Sequence, residues 1–414
     1  MNKSVIAVLV GLAVTGGAYA VADSKADAVA LERADAAITS FNEKSGLDVQ
    51  YTGVNANLLS SSFEISGLSL KKNDGELSIN GVTLSNPVFS DDEAKILQSA
   101  TVSISGVDFS AGDEMSLSVD DTAIEYNAGD KEITLASLER MDPMSMLSLF
   151  QGLNIQGLTM ETDDAEMPSV KFKEISFSNL EFNKAGTMLY GIDSFVKGAE
   201  MQFDLENMSK RDSEMFAKLG FDSGKFTYNE ELHYSLNPKT GEFNISAKAG
   251  MDDMAEAGVS LSLANFPDME EVDVNRLQRN PMRAMGLFED VAIKSFTFTY
   301  EDDGLAAAAY TVVAEDKSYK LESKNLPVTG EAYRKMMLAD IKSEIEDEGE
   351  MTGVEEEAAE FVVDLFSTHS PDVKVTIEAK DKDGVKLSTL LKGIGGKNGA
   401  DKAAKHFKYT MKAK

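Results

Sequence analysis

The 414-residue sequence has no cysteine, no tryptophan and only three histidines, His233, His369 and His406, set far apart. Lack of cysteine excludes disulfides, thiolate metal sites, cysteine nucleophiles and an acylated lipoprotein cysteine. Three scattered imidazoles leave little room for histidine chemistry. Positive charge is also scarce. Seventy acidic against 40 basic side chains give a formal net charge of −30, which repels nucleic-acid phosphates and anionic headgroups, so nucleic acid is not an expected partner. Beyond the N-terminus there is no apolar run long enough to span a bilayer, which excludes a multi-span helical protein. With 43% hydrophobic and 27% charged residues, the chain can bury one large core or two medium ones and reads as globular.

The start, "MNKSVIAVLVGLAVTGGAYA", has one lysine, an apolar run from Val5 to Val14, and small residues ending Ala18, Tyr19, Ala20. That order is a secretory signal with an A-x-A cleavage site. The apolar stretch Val5–Ala22 also has the length of an uncleaved membrane anchor. Under either reading residues 1–22 are a signal peptide or membrane anchor and the remainder is exported. The expected location is the periplasm, either soluble after cleavage near Ala20 or held to the inner membrane through residues 5–22.

An eight-residue phrase recurs. "FEISGLSL" (63–70), "LSINGVTL" (77–84), "VSISGVDF" (102–109) and "LNIQGLTM" (153–160) all read apolar, any, apolar, any, Gly, apolar, any, apolar. "ISFSNLEF" (175–182) puts Asn in the fifth place and "VAIKSFTF" (291–298) puts Ser there. In a strand the first and third residues share a face, and the sixth and eighth would point the other way. They return to the first face if one residue is inserted as a β-bulge, which Gly or Asn tolerates. Gly67, Gly81, Gly106, Gly157, Asn179 and Ser295 are therefore the expected bulge positions, and bulges at similar heights would bend the sheet.

The links between phrases are turn-like. "KKNDGE" (71–76), "NPKTGE" (237–242), "EDDG" (301–304) and "DKDG" (381–384) lie between alternating runs, as hairpins require. Helices are expected over about 24–45, in "MSMLSLFQG" after Asp142 and Pro143, over 207–219 and 269–289, and over 329–367 with a break in its acidic middle. The fold class is α+β, mainly β: a strongly curved, taco-like antiparallel sheet of bulged strands with a few flanking helices behind an N-terminal signal or anchor helix. Two regions follow it, 23–200 with a helix and curved β-region, and 201–414 with a second β-region carrying helical insertions and continuing the same sheet.

Catalytic motifs are poor matches. Ser194–Lys197, Ser235–Asn237 and Lys239–Gly241 imitate the three motifs of penicillin-recognising enzymes, but the last two lie inside one hairpin turn. "GIGGKNG" (393–399) lacks the phosphate-loop frame, and neither a G-x-S-x-G elbow nor H-E-x-x-H occurs. Acidic groups at 91–93, 161–166, 301–303 and 346–350 lack the EF-hand frame and read as solvated turns, so no metal or cofactor is expected. The terminal "KNGADKAAKHFKYTMKAK" reverses the charge trend and reads as a lysine-protected edge strand.

The opening "MNKSVIAVLVGLAVTGGAYA" resembles the start of the bacterial YdgA-like envelope proteins of unknown function. "ISGLSL", "INGVTL" and "VTIEAKDKDGVKLSTLLKG" are similar to phrases of the AsmA-like proteins of Gram-negative envelopes. The resemblance implies an exported periplasmic protein, commonly anchored in the inner membrane, with a taco-shaped β-groove. Larger relatives are associated with phospholipid transport, and this chain is too short for a groove bridging two membranes.

The expected function is a non-enzymatic periplasmic protein that binds an apolar ligand, a lipid, in a curved β-groove and serves cell-envelope maintenance. The expected lining is Phe63, Ile65, Leu68, Leu70, Leu77, Ile79, Val82, Leu84, Val102, Ile104, Val107, Phe109, Leu153, Ile155, Leu158 and Met160. The alternative is an envelope scaffold with a closed core, acting through its acidic segment 329–367.

Overall fold

The computed structural model describes residues 35, 39, 48–57, 62–72, 75–89, 97–111, 115–128, 145, 147–162, 167–183, 188–268, 286–315, 329–348, 353–369, 371–394 and 399–413. The expected signal or anchor at 1–22 lies outside them, as do nearly all of the expected helix at 24–45 and most of that at 269–289. Among the described residues no helix is long and apolar enough to cross a membrane. The chain forms two compact units, Met1–Phe203 and Asp204–Lys414. Both are built mainly from antiparallel β-sheet.

The first unit contains β1 (Asp48–Gln50), β2 (Gly53–Asn57), β3 (Ser62–Lys72), β4 (Gly75–Phe89), β5 (Leu97–Ala111), β6 (Met115–Asn127), β7 (Phe150–Thr162), β8 (Ser169–Phe182) and β9 (Leu189–Gln202). β3 to β9 pair in sequence order, and β1 and β2 both pair with β3. Among the described residues no pairing between β3 and β9 closes this sheet. "KKNDGE" forms the expected hairpin, with Lys72 opposite Gly75.

The strands share one device. In β3, Phe63, Ile65 and Leu68 are all buried, although three positions separate Ile65 from Leu68 and strict alternation would turn them apart. Gly67, between them, has a left-handed φ of 61°. A single bulge would shift the register with the neighbour. Here the register is unchanged, with Ser66 opposite Gly81 and Leu68 opposite Ile79, because β4 carries its own extra residue, Asn80, at the same height.

This match continues across the unit. The flanking pairs place Thr52, Gly67, Asn80, Gly106, Asp120, Gly157, Lys173 and Gly198 in one line from β2's edge to β9. The glycines on alternate strands all have positive φ, from 57° to 63°. The strands between them use an exposed polar residue. A Cβ on Gly67, Gly106 or Gly157 would overlap the side chain of Thr52, Asn80 or Asp120 respectively. These glycines are thus needed for both φ and space, and the line of matched insertions curves the strands where it crosses them.

Two expected bulges are corrected. Gly81 is an ordinary paired residue, facing Ser66 and Ser105, since Asn80 takes the extra place in β4. Ser295 is paired too, with Ser262 and Glu378, and the register shift falls one residue earlier, at Lys294. Asn179 differs from the glycines. It has φ of 52°, and β8 holds two residues, 179 and 180, against one on β9, a true register-shifting bulge. Its amide donates to the Asp193 carboxylate.

The second unit contains β10 (Lys225–Asn237), β11 (Glu242–Met251), β12 (Ala255–Ala264), β13 (Ala292–Asp302), β14 (Val373–Ala379), β15 (Val385–Lys386) and β16 (Phe407–Ala413). β10 to β14 pair in order, β16 pairs with β14, and β15 with β13. Its described helices are α1 (Lys210–Lys218), α2 (Leu305–Glu315), α3 (Gly330–Glu348), α4 (Val354–Ser367), α5 (Leu387–Ile394) and α6 (Gly399–Ala404). α1 begins as its sequence requires, with the Ser209 hydroxyl accepting from Asp212 N. The expected segment 329–367 divides in its acidic middle into α3 and α4.

"EDDG" is a strand-to-helix junction and not a hairpin. Buried Asp302 accepts from Ala306 N at 2.9 Å, from Gly304 N at 3.2 Å and from the Tyr300 hydroxyl at 2.7 Å. Its carboxylate thereby satisfies the Ala306 N–H in the first turn of the alanine-rich α2, while Leu305 N donates to the Met254 carbonyl at 3.3 Å. The residues after "DKDG" likewise form two residues of strand and then α5.

Candidate ligand-binding face

The register sorts the first unit's side chains onto two faces. One carries four rows across β3 to β9. The first is Phe63, Leu84, Val102, Ile124, Leu153, Phe177 and Ser194. The second is Ile65, Val82, Ile104, Thr122, Ile155, Ile175 and Val196. Beyond the fold line come Leu68, Ile79, Val107, Val119, Leu158, Phe172 and Ala199, then Leu70, Leu77, Phe109, Leu117, Met160, Val170 and Met201. Thr122 and Ser194 are the only polar residues in these rows. At about 4.8 Å between strands, each row is roughly 29 Å long.

All sixteen residues expected to line a groove lie on this face. The opposite face carries Glu64, Ser66, Ser78, Thr83, Ser103, Ser105, Asp108, Ser118, Asp121, Asn154, Gln156 and Ser176, with Asn154 Nδ2 donating to Glu174 Oε1 at 2.7 Å. The sequence reading missed Leu117, Val119 and Ile124 of β6, Val170, Phe172 and Phe177 of β8, and Val196, Ala199 and Met201 of β9. Their strands have Asp120 or Lys173 at the fold line or, in β9, Ser194 in the first apolar place of the phrase ahead of Gly198. The usable signal was two residues one apart, two intervening residues, and two more residues one apart, all apolar in β8 and apolar but for Thr122 in β6 and Ser194 in β9, with no glycine required.

The face is not evenly covered. Phe63, Ile65, Leu84 and Val102 are at most 1% exposed and centre a core that includes Leu68, Ile79, Val82, Ile104, Ile124, Tyr126, Leu149 and Phe150. Leu70, Leu77, Val107 and Leu153 pack against it and are only partly buried. Toward β7 to β9, Ile155, Leu158, Met160, Phe172 and Met201 are partly exposed, as is Phe109. The first two rows are therefore shut on β3 to β5, whereas on β7 to β9 the face is partly exposed except at Val170 and Ala199, and the outermost row is partly exposed on β3 to β5 as well.

One polar atom interrupts the shut end. Tyr126 is 2% exposed, and its hydroxyl has no hydrogen-bond partner among the described residues. Burial alone pushes its pKa up, because the phenolate would have to exist away from water.

The second unit repeats the arrangement on a smaller scale. Leu232, Ala247, Val259, Phe298, Val375 and Met411 make one row across six strands, bordered by Tyr234, Ile245, Leu261, Phe296, Ile377 and Tyr409. Val259 is 41% and Phe298 36% exposed at the centre of this face. Glu357 of α4 hydrogen-bonds Tyr409, so α4 lies over this face at its β16 edge.

The catalytic look-alikes come apart. Ser194 is in an apolar row of β9 whereas Lys197 is exposed opposite Glu174, and Asn237 Oδ1 accepts from Lys239 N and Thr240 N within a hairpin turn. Among the described residues no group of three histidine or acidic side chains is placed to hold a metal. A polar cavity of about 250 Å³ lined by Glu230, Glu231, Lys248, Asp252, Glu256 and Asp303 is a solvated acidic recess. No protein-family model matches the chain, and no curated protein sequence matches it.

Proposed function

We propose that the protein is an exported, non-enzymatic lipid-binding protein of the cell envelope, with the acyl part of the ligand lying along the apolar face of the first unit. The observation carrying this reading is the partly exposed half of that face, where Leu158, Phe172, Met160 and Met201 meet solvent on the same side as a dry core. Neighbouring apolar side chains left partly in contact with solvent are the kind of surface a ligand covers. The YdgA-like and AsmA-like resemblance, the taco-like groove and the periplasmic location belong to the same reading. The ligand would bind at the β7 to β9 end, since the β3 to β5 end has no room for it.

Native mass spectrometry of protein purified from an expressing cell's envelope tests this, with extraction and identification of bound lipid. Lipid retained by the native chain and lost in Leu158→Asp is the expected result. A lipid-free native protein that also fails to take up a fluorescent fatty acid would overturn it. The burial of Phe63, Ile65, Leu84 and Val102 favours a second reading, a closed-core envelope scaffold. That reading requires a stoichiometric protein partner lost when α3 and α4 are deleted.

A further inference from the structure

Lys374 on β14 stands directly opposite Lys412 on β16, and both are exposed. Like charges placed directly across a strand pair repel. The next pairs on this face are Thr376 with Thr410 and Glu378 with Lys408. Elsewhere in the same unit lysines are neutralised: Lys248 by Glu256 at 2.8 Å, Lys294 by Glu242 at 2.9 Å and Lys386 by Asp290 at 2.6 Å. Among the described residues no ion pair includes Lys374, Lys408 or Lys412. Residues 373–414 hold eleven lysines, no arginine and four acidic residues, in a chain whose net charge is −30.

Protection of a sheet edge explains lysines on β16, the outermost strand of this path. It does not explain Lys374, which sits on an inner strand between β13 and β16 and adds repulsion there. An anion laid against the face removes that repulsion. We propose that the lysine-bearing face of β14 and β16 docks on an anionic lipid surface. Lysine without arginine suits this occupant: protein interfaces are enriched in arginine and depleted in lysine, whereas phosphate surfaces attract clustered lysines as point charges. Thr376 and Thr410 add hydroxyl donors between the charges. At physiological salt, interactions decay over about 8 Å, so the acidic remainder of the chain is screened from a surface touching this face. The inference stands apart from lipid binding on the apolar faces, because it requires no lipid within the protein.

Co-sedimentation of the full chain with phosphatidylcholine vesicles, with and without about one third phosphatidylglycerol, tests it. Binding is expected only with phosphatidylglycerol. It should fall on the order of 100-fold in Lys374→Gln/Lys408→Gln/Lys412→Gln, at about fivefold per lysine, and disappear near 0.5 M salt. The triple variant relieves repulsion and should unfold no earlier than the native chain. Equal binding to both vesicles, or unaltered binding by the folded triple variant, overturns the proposal. So does a native chain that ignores both vesicles, or one whose lysine face instead drives concentration-dependent self-association or captures duplex DNA.

Discussion

Asp120 of β6 stands opposite Gly157 of β7, and its carboxyl group occupies the space a Cβ on Gly157 would need. Gly157 has φ of 63°, so alanine there meets both a left-handed backbone and a clash. Gly157→Ala is expected to destabilise the first unit by roughly 2 kcal/mol or more. Gly81→Ala has no left-handed penalty and meets nothing closer than Ser105 Oγ at 3.2 Å, so its cost should be clearly smaller. Urea unfolding of the two variants gives the comparison, and equal losses would remove the fold line's special role.

Tyr126 leaves a hydroxyl buried without a partner among the described residues. An unpaired buried polar group costs about 1–3 kcal/mol, so Tyr126→Phe should raise the unfolding free energy by on the order of 1 kcal/mol. A loss of stability would mean that the hydroxyl is bonded in solution.

The two ends of the apolar face should respond differently to truncation. Phe63 is 1% exposed, and Phe63→Ala should cost about 3–5 kcal/mol through cavity formation. Leu158 is partly exposed, so Leu158→Ala should cost only about 1–2 kcal/mol while weakening fatty-acid uptake. Equal stability losses would show that the β7 to β9 end is as tightly packed as the other.

Glu331, in the first turn of α3, receives Arg334 Nε and Nη2 at 3.0 Å each, Lys335 Nζ at 3.0 Å and His369 Nε2 at 2.9 Å. Hydrogen bonds from Arg334 and then Lys335 lower its pKa from 4.5 to about 2. A folded-state pKa below the unfolded one gives stability that is fully present above about 4.5 and lost as pH falls toward 2. Glu331→Gln should therefore lower the thermal midpoint at pH 7, and the gap from the native chain should close between pH 4.5 and 2. Arg334, itself buried, also holds the Phe366 carbonyl at 2.6 Å, so this pair ties α3 to the end of α4. A gap constant over that range would exclude Glu331 as the titrating group.

Much of the β-architecture was readable locally. The apolar spacing of "FEISGLSL" placed Phe63, Ile65, Leu68 and Leu70 on one face before any pairing was known, because side-chain direction along a strand depends only on neighbouring residues. The helix at "LAAAAYTVVAE" was missed because "EDDG" has the composition of a hairpin turn, and only the bonds of Asp302 to the following N–H groups identify it as a cap.

The sequence alone determined that β3, β4, β5 and β7 each carry an extra residue near a glycine and a single apolar side. The tertiary structure decided that these residues meet in one line, that Asn80 and not Gly81 turns β4, and that one end of the face is closed while the other is not. The physical reason is that register and burial arise between strands whose connections differ in length, so no local pattern contains them.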